Sequence, residues 1–258
     1  MAQALVRHGC SVLLIGRTLS KLEAAKASFG SNSNKVIVFS SDVREPDSLA
    51  LAMKTANDAF GRIDFVVCGA AGNFLCRAED LSTNAFKTVI DIDLVGTFNT
   101  CKAALPYLKK SKGAIINVSA TLQYKGTPMM AHACAAKAGV DALTRVLALE
   151  WGAYGIRVNA IAPGPIDDTT GMSKLMPDGA RQLYLDAVPL KRFGTVKDIE
   201  HTTLYLFSPA ASLVTGAIEV VDGGEWLAGP MSVMLNQQDA AKDAVRKKRA
   251  HELQKSKL

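Results

Sequence analysis

No stretch of this 258-residue chain stays apolar long enough to cross a bilayer; its longest apolar runs have the length of strands, which excludes a membrane-spanning helix. No secretory signal is visible either. Aromatic residues are scarce, at 6%, and they are not interleaved with basic residues as on a nucleic-acid surface, so nucleic acid is not an expected partner. The five cysteines, Cys10, Cys68, Cys76, Cys101 and Cys134, are odd in number and widely spaced. That removes a disulfide framework; Cys68 and Cys134 stand in apolar surroundings and read as reduced, buried thiols of an intracellular protein. No metal site is expected.

What is present is enough apolar material for one substantial core: 48% of the residues are hydrophobic. The net charge of +6 is partly concentrated between Lys242 and Lys257. It reads as a solvated basic tail, or as a balance suited to a substrate that carries phosphates. Before the tail, strand-like and helix-like stretches alternate. Strands are expected at Ser11–Gly16, Lys35–Ser40, Ile63–Gly69, Ala114–Ser119, Arg157–Ala162 and Ala217–Val221. Helices are expected at Met1–His8, Leu19–Phe29, Asp47–Phe60, Asn84–Lys110, Met130–Trp151 and Val196–Phe207, with a loop from Pro163 to Leu190. This alternation predicts an α/β fold, a Rossmann-like doubly wound parallel sheet in one domain over residues 1–228, followed by a polar basic tail at 229–258.

The chain is organised around Ile115–Lys137. An apolar run ends in small polar residues, a loop with Gly126 and Pro128 follows, and an Ala-rich helix then offers one lysine, Lys137, that its neighbours bury. Chemistry at the carboxyl end of a strand, with a lysine from the next helix, is an α/β enzyme's layout. Together with Asp91-Ile-Asp-Leu-Val-Gly-Thr-Phe98 and Ala162-Pro-Gly-Pro-Ile166, this stretch resembles the short-chain dehydrogenase/reductases.

That resemblance implies a nicotinamide cofactor and places residues around it. Arg17 follows the second expected family strand, where a cation in place of an acid implies the 2′-phosphate of NADPH; a strand-end arginine facing water is the alternative. Asp42 would hold the adenine amine, Gly69, Ala70, Ala71 and Gly72 the small-residue floor, and Pro163, Gly164, Pro165, Ile166, Asp167, Asp168 and Thr169 the loop beside the nicotinamide. The family's first strand and its Gly-rich phosphate turn are not found, since the sequence starts inside the helix that should follow them. A truncated gene model, an alternative start or a partial chain is the expected explanation. Its rival is a protein that folds in altered form and binds cofactor weakly or not at all.

The catalytic positions depart from the family's common pattern. Four residues before Lys137 stands Ala133 rather than tyrosine, the serine position is Ala120 between Ser119 and Thr121, and the asparagine position is Asp93. Seven residues before the lysine, where enoyl-carrier-protein reductases place a tyrosine, stands Met130. These departures are similar to those of the family's peroxisomal 2,4-dienoyl-CoA reductase branch. Shared stretches are Ala70–Leu75, Asn84–Asp93, Ser119–Leu122, the residues around Lys137, and Val221–Leu227.

The branch resemblance implies that Asp93 and Lys137 position a water that protonates carbon, with Lys137 also on the cofactor ribose. It further implies that Arg17, Arg44, Phe74, Ser82, Thr83, Asn84 and Lys174 touch an acyl-CoA substrate. The product would be a trans-3-enoyl-CoA. The terminal Ser256-Lys257-Leu258 is a peroxisomal address read by an import receptor. The implied protein is a peroxisomal homo-oligomer acting in β-oxidation of unsaturated fatty acids. A reductase of another acyl thioester or carbonyl substrate, and a non-catalytic truncated subunit, remain alternatives.

Overall fold

The computed structural model describes residues 1–176 and 179–229. Of the expectations above, the Ser256-Lys257-Leu258 address and the rest of the tail lie outside the described residues. Six strands form: β1 (Val12–Gly16), β2 (Val36–Ser40), β3 (Phe65–Cys68), β4 (Ala114–Val118), β5 (Arg157–Pro163) and β6 (Ile218–Val221). All of their pairings are parallel, in the order β2-β1 in one sheet and β3-β4-β5-β6 in another. Helices α1 (Ala2–Arg7), α2 (Leu19–Ala27), α3 (Pro46–Phe60), α4 (Thr83–Ile90), α5 (Gly96–Ser111), α6 (Ala131–Trp151), α7 (Thr170–Leu175), α8 (Arg181–Ala187) and α9 (Val196–Phe207) connect them.

The strands are apolar on both faces because helices cover both faces. Ile115 of β4 packs with Leu147 and Trp151 of α6, while its neighbour Ile116 packs with Leu206 and Phe207 of α9; both isoleucines are fully buried. Each such side chain is worth about 1.5–3 kcal/mol of transfer out of water. Local chemistry sets the helix ends. Gly61 closes α3 in the left-handed conformation at φ 77°, and α9 starts at a capping box between Thr195 and Asp198.

Two expectations need correction. The single helix expected over Asn84–Lys110 is interrupted by a wide π turn at Asp91–Val95, which separates α4 from α5. The expected loop from Pro163 to Leu190 contains α7 and α8. Both differences have local causes. The π turn is braced by Thr97, whose hydroxyl donates to the Asp93 carbonyl at 2.6 Å, and α7 starts where the Thr169 hydroxyl accepts from the Met172 amide at 3.2 Å.

The two sheets are not joined by a ladder, yet their strands pack on the same two core clusters. Leu13 and Ile15 of β1 pack on the cluster that holds Val66 and Cys68 of β3, and Val12 packs on the opposite cluster, which also takes Val67. Between the facing edges of β1 and β3 lies a cavity of about 980 Å³, lined along its length by both strands and reaching Arg17, Asp42 and Gly69 at their carboxyl ends. Edge amides without a ladder partner open to solvent more readily than paired ones. Amides of β1 and β3 are therefore expected to exchange with deuterated solvent faster than those of β4 and β5, as read by hydrogen exchange with mass spectrometry. Equal protection across all four strands would show that the two edges are closed against each other.

Candidate active site

The carboxyl ends of β1, β2, β3, β4 and β5 all point to one side of the molecule, and the expected site residues sit in the loops that leave them. At its centre is Asp93, 1% exposed, carried inward by the π turn. An extra residue in a helical turn re-aims the side chains beside it, and π turns occur often at functional sites for that reason. Gly96, where α5 resumes, lies so close to Val43 that an added Cβ would stand 2.4 Å from that side chain. The turn is thus packed directly against the loop that carries Asp42.

Asp93 uses both carboxylate oxygens. One accepts the Gly72 amide at 2.7 Å, and the other faces the Lys137 ammonium at 3.4 Å. Lys137 rises from the second turn of α6 and donates to the Val118 carbonyl, the last residue of β4, at 2.8 Å. An ammonium has three donors. One is spent on Val118, one is directed at Asp93, and the third is left for a ribose hydroxyl or a water. Burial raises the Asp93 pKa above the ordinary carboxylate range, and the Lys137 charge and the Gly72 amide only partly oppose that effect. A carboxyl group poised this way exchanges protons with water nearer to neutral pH than an exposed aspartate does.

Around this pair the common hydroxyls are absent. Ala133 is buried at 2% exposure, so nothing in its place can donate a proton. Ser119, beside the serine position, is already engaged: its hydroxyl donates to Asp141 at 2.5 Å, and Gln123 donates to the other oxygen of Asp141 at 2.9 Å. Asp141 stands one helical turn beyond Lys137 and was not singled out from sequence, although its i+4 spacing from the lysine was visible.

The residues expected to meet the cofactor lie along the same rim. Arg17 is exposed directly after β1 and forms no ion pair among the described residues. Asp42 is clasped by Arg44, which donates at 3.0 and 2.6 Å, and this hydrogen bonding, with Arg17 adding charge, holds Asp42 down to about 2. Gly69, Ala70 and Ala71 leave an exposed, small-residue floor, and Gly72 orients Asp93.

The loop after β5 is held by backbone bonds to the chain on either side of it. The Gly164 amide donates to Val221 at 3.0 Å, where a Cβ on Gly164 would meet that of Asp222 at 2.5 Å, and Pro165 and Asp167 bond to both sides of Gly194. Ile166 bridges to Gly194, Asp167 pairs with Arg181 at 2.5 Å, Asp168 takes a left-handed φ of 64°, and Thr169 caps α7. Two cations beside Asp42, one of them unpaired, form a donor set that fits a phosphate-bearing nucleotide.

The expected substrate residues are less tightly grouped. Phe74 stacks on His132 with ring centroids 4.3 Å apart. Ser82 caps α4 by accepting the Ala85 amide at 3.2 Å, so its oxygen has a structural task, and Thr83 and Asn84 begin that helix on the exposed side. Arg44 is committed to Asp42. Lys174 belongs to α7, and its side chain is outside what the structure describes.

Comparison with known proteins agrees with this geometry. A family model described as enoyl-(acyl carrier protein) reductase matches residues 1–225. A peroxisomal 2,4-dienoyl-CoA reductase of Saccharomyces cerevisiae, named as (3E)-enoyl-CoA-producing, is 49% identical over 88% of this chain and 79% of its own length. An Arabidopsis thaliana protein of the same name is 46% identical over 87% of this chain and 78% of its own. A solved short chain dehydrogenase from Bacillus anthracis superposes with a TM-score of 0.78 at 39% identity, covering 86% of this chain and 90% of that one. The chain belongs to the short-chain dehydrogenase/reductase family.

Proposed function

We propose that this chain is an NADPH-dependent 2,4-dienoyl-CoA reductase that forms trans-3-enoyl-CoA. The observation that carries the reading is the buried Asp93–Lys137 pair at a site where Ala133 leaves no tyrosine. A ketone reduced to an alcohol needs a proton on oxygen, which a tyrosine delivers well; a dienoyl thioester needs one on carbon. Bound at the rim, NADPH supplies the hydride that adds at Cδ of the dienoyl group. Asp93 and Lys137 hold a water over Cα; that water gives a proton to carbon as electron density returns from the thioester oxygen, and the Lys137 ammonium passes a proton to the hydroxide left behind, to be restored from solvent. Arg17 and Arg44 would meet phosphates of the cofactor or of CoA, and the other named substrate residues would line the path of the acyl chain.

The peroxisomal names of the relatives and the terminal Ser256-Lys257-Leu258 together support import through a peroxisomal receptor. Exposed Phe98 on α5 and Val146 and Leu149 on α6 offer apolar surface for a homo-oligomer. The proposal is tested by incubating the protein with NADPH and a trans-2,trans-4-dienoyl-CoA while following nucleotide oxidation and identifying the product. Formation of the 3-enoyl thioester supports the reading. Turnover of 3-ketoacyl thioesters in preference to the dienoyl substrate would replace it with that of a carbonyl reductase.

A further inference from the structure

Reduction of a dienoyl thioester builds negative charge on the thioester oxygen, and a site that catalyses it needs a donor aimed there. Most donors around Asp93 are engaged. The Gly72 amide is held by Asp93, the Ser119 hydroxyl by Asp141, the Cys134 thiol by the Leu122 carbonyl, and Lys137 spends two of its three donors on Val118 and Asp93 and keeps the third for the water or ribose. Among the described buried residues, His132 is the one whose side-chain nitrogens both lack a hydrogen bond of ordinary geometry. His132, in the first turn of α6, is 0% exposed; neither ring nitrogen makes a hydrogen bond of ordinary geometry, although the Phe74 backbone lies close enough to interact with the ring.

A buried imidazole without a well-formed hydrogen bond carries a desolvation cost, and a ligand that accepts from it would repay that cost. Its surroundings point to the same use. Its ring lies under Phe74, which is 38% exposed and reaches toward solvent, and it lies within electrostatic range of the Asp93 carboxylate.

We propose, resting on the dienoyl-CoA reading above, that His132 is the hydrogen-bond donor to the thioester oxygen, covered by the Phe74 ring until the acyl chain displaces it. His132 keeps its proton throughout; the proton that reaches Cα comes from the water held by Asp93 and Lys137. Burial pushes His132 below the ordinary histidine range, so it works as a neutral imidazole with one N–H to donate and does not compete with Lys137 for the Asp93 charge. The side chain thereby takes over, from the position next to Ala133, the oxygen-binding part of the role that a tyrosine and a serine share elsewhere in the family.

The test has two arms. In the first, the dienoyl-CoA chromophore is bound to the protein without cofactor and its absorption recorded; polarisation of the thioester carbonyl shifts the band to the red. The wild-type protein is expected to produce the shift, His132→Ala to bind the ligand without it, and His132→Gln, whose amide can donate, to restore part of it. In the second, His132→Ala is expected to lower kcat by a factor on the order of 10²–10³ with little change in KM, the size seen when one oxyanion donor is removed. An alanine variant that keeps the red shift and a kcat within threefold of wild type would overturn the assignment while leaving the dienoyl-CoA reading intact. So would equal losses in the alanine and glutamine variants accompanied by a lower melting temperature, which mark a packing role. Failure of the wild-type protein to reduce any dienoyl-CoA would instead sink the parent reading.

Discussion

Replacing Asp93 or Lys137 by alanine is expected to lower the rate of dienoyl-CoA reduction by a factor on the order of 10²–10⁴, the usual range for a positioned acid or base. The loss follows from how the pair is built. Without Asp93, the Lys137 ammonium keeps only the Val118 carbonyl as a named protein partner and no carboxylate orders the water beside it. Without Lys137, burial acts on Asp93 with the Gly72 amide as its main remaining counterweight, which favours the protonated acid over the carboxylate that must accept from water. Each single change therefore disables the same unit, and the double variant is expected to be little worse than either one, because effects within a unit do not add. Asp93→Asn separates chemistry from architecture: its amide oxygen can still accept from Gly72, so folding should survive while the rate falls. Steady-state kcat for the four variants decides the matter, and wild-type rates in both alanine variants would remove the Asp–Lys water from the mechanism.

The second large effect concerns the cofactor. Arg17 stands exposed at the end of β1 with no ion-pair partner among the described residues, while Arg44 two residues beyond Asp42 is already paired. A free guanidinium at this rim is worth about 1.5–3 kcal/mol against a phosphate, from the strength of a charge-assisted hydrogen bond. Arg17→Ala is therefore expected to weaken NADPH by roughly 10- to 100-fold and to leave NADH nearly unchanged, which narrows the preference between them. Fluorescence titration with both nucleotides measures the change directly. A protein that binds NADH and NADPH alike before the substitution would show that Arg17 faces only water.

Much of this was legible in the sequence because the signals were local. The strand spacing, the Val196 start of α9 and the burial of Lys137 followed from apolar runs, caps and an Ala-rich helix, and all three stand in the structure. The π turn at Asp91–Val95 was not legible: the stretch Asn84–Lys110 keeps a helical pattern throughout, and the interruption comes from tertiary packing of Gly96 on Val43 and from the Thr97 bond to the Asp93 carbonyl. Asp93 itself was found through family resemblance, but its bond to Gly72 joins residues 21 apart and depends on the fold. His132 escaped notice for a different reason. One histidine in an Ala-rich helix is most simply a packed side chain, and only the lack of a well-formed hydrogen bond at its buried nitrogens distinguishes it. The division into two sheets and the cavity between β1 and β3 required coordinates, because which strand edges face each other is set by tertiary packing.

The central claim is that a water held by Asp93 and Lys137 delivers its proton to Cα of the dienolate rather than to Cγ, and solvent isotope labelling tests it most directly. The protein is supplied with NADPH and a trans-2,trans-4-dienoyl-CoA in deuterium oxide, and the product is examined by nuclear magnetic resonance. A trans-3-enoyl thioester carrying one solvent deuteron at Cα, with the hydrogen added at Cδ coming from the nucleotide, is the expected result. A 2-enoyl product with its solvent deuteron at Cγ would place the proton donor at the other end of the dienolate and contradict the position assigned to the Asp93–Lys137 water.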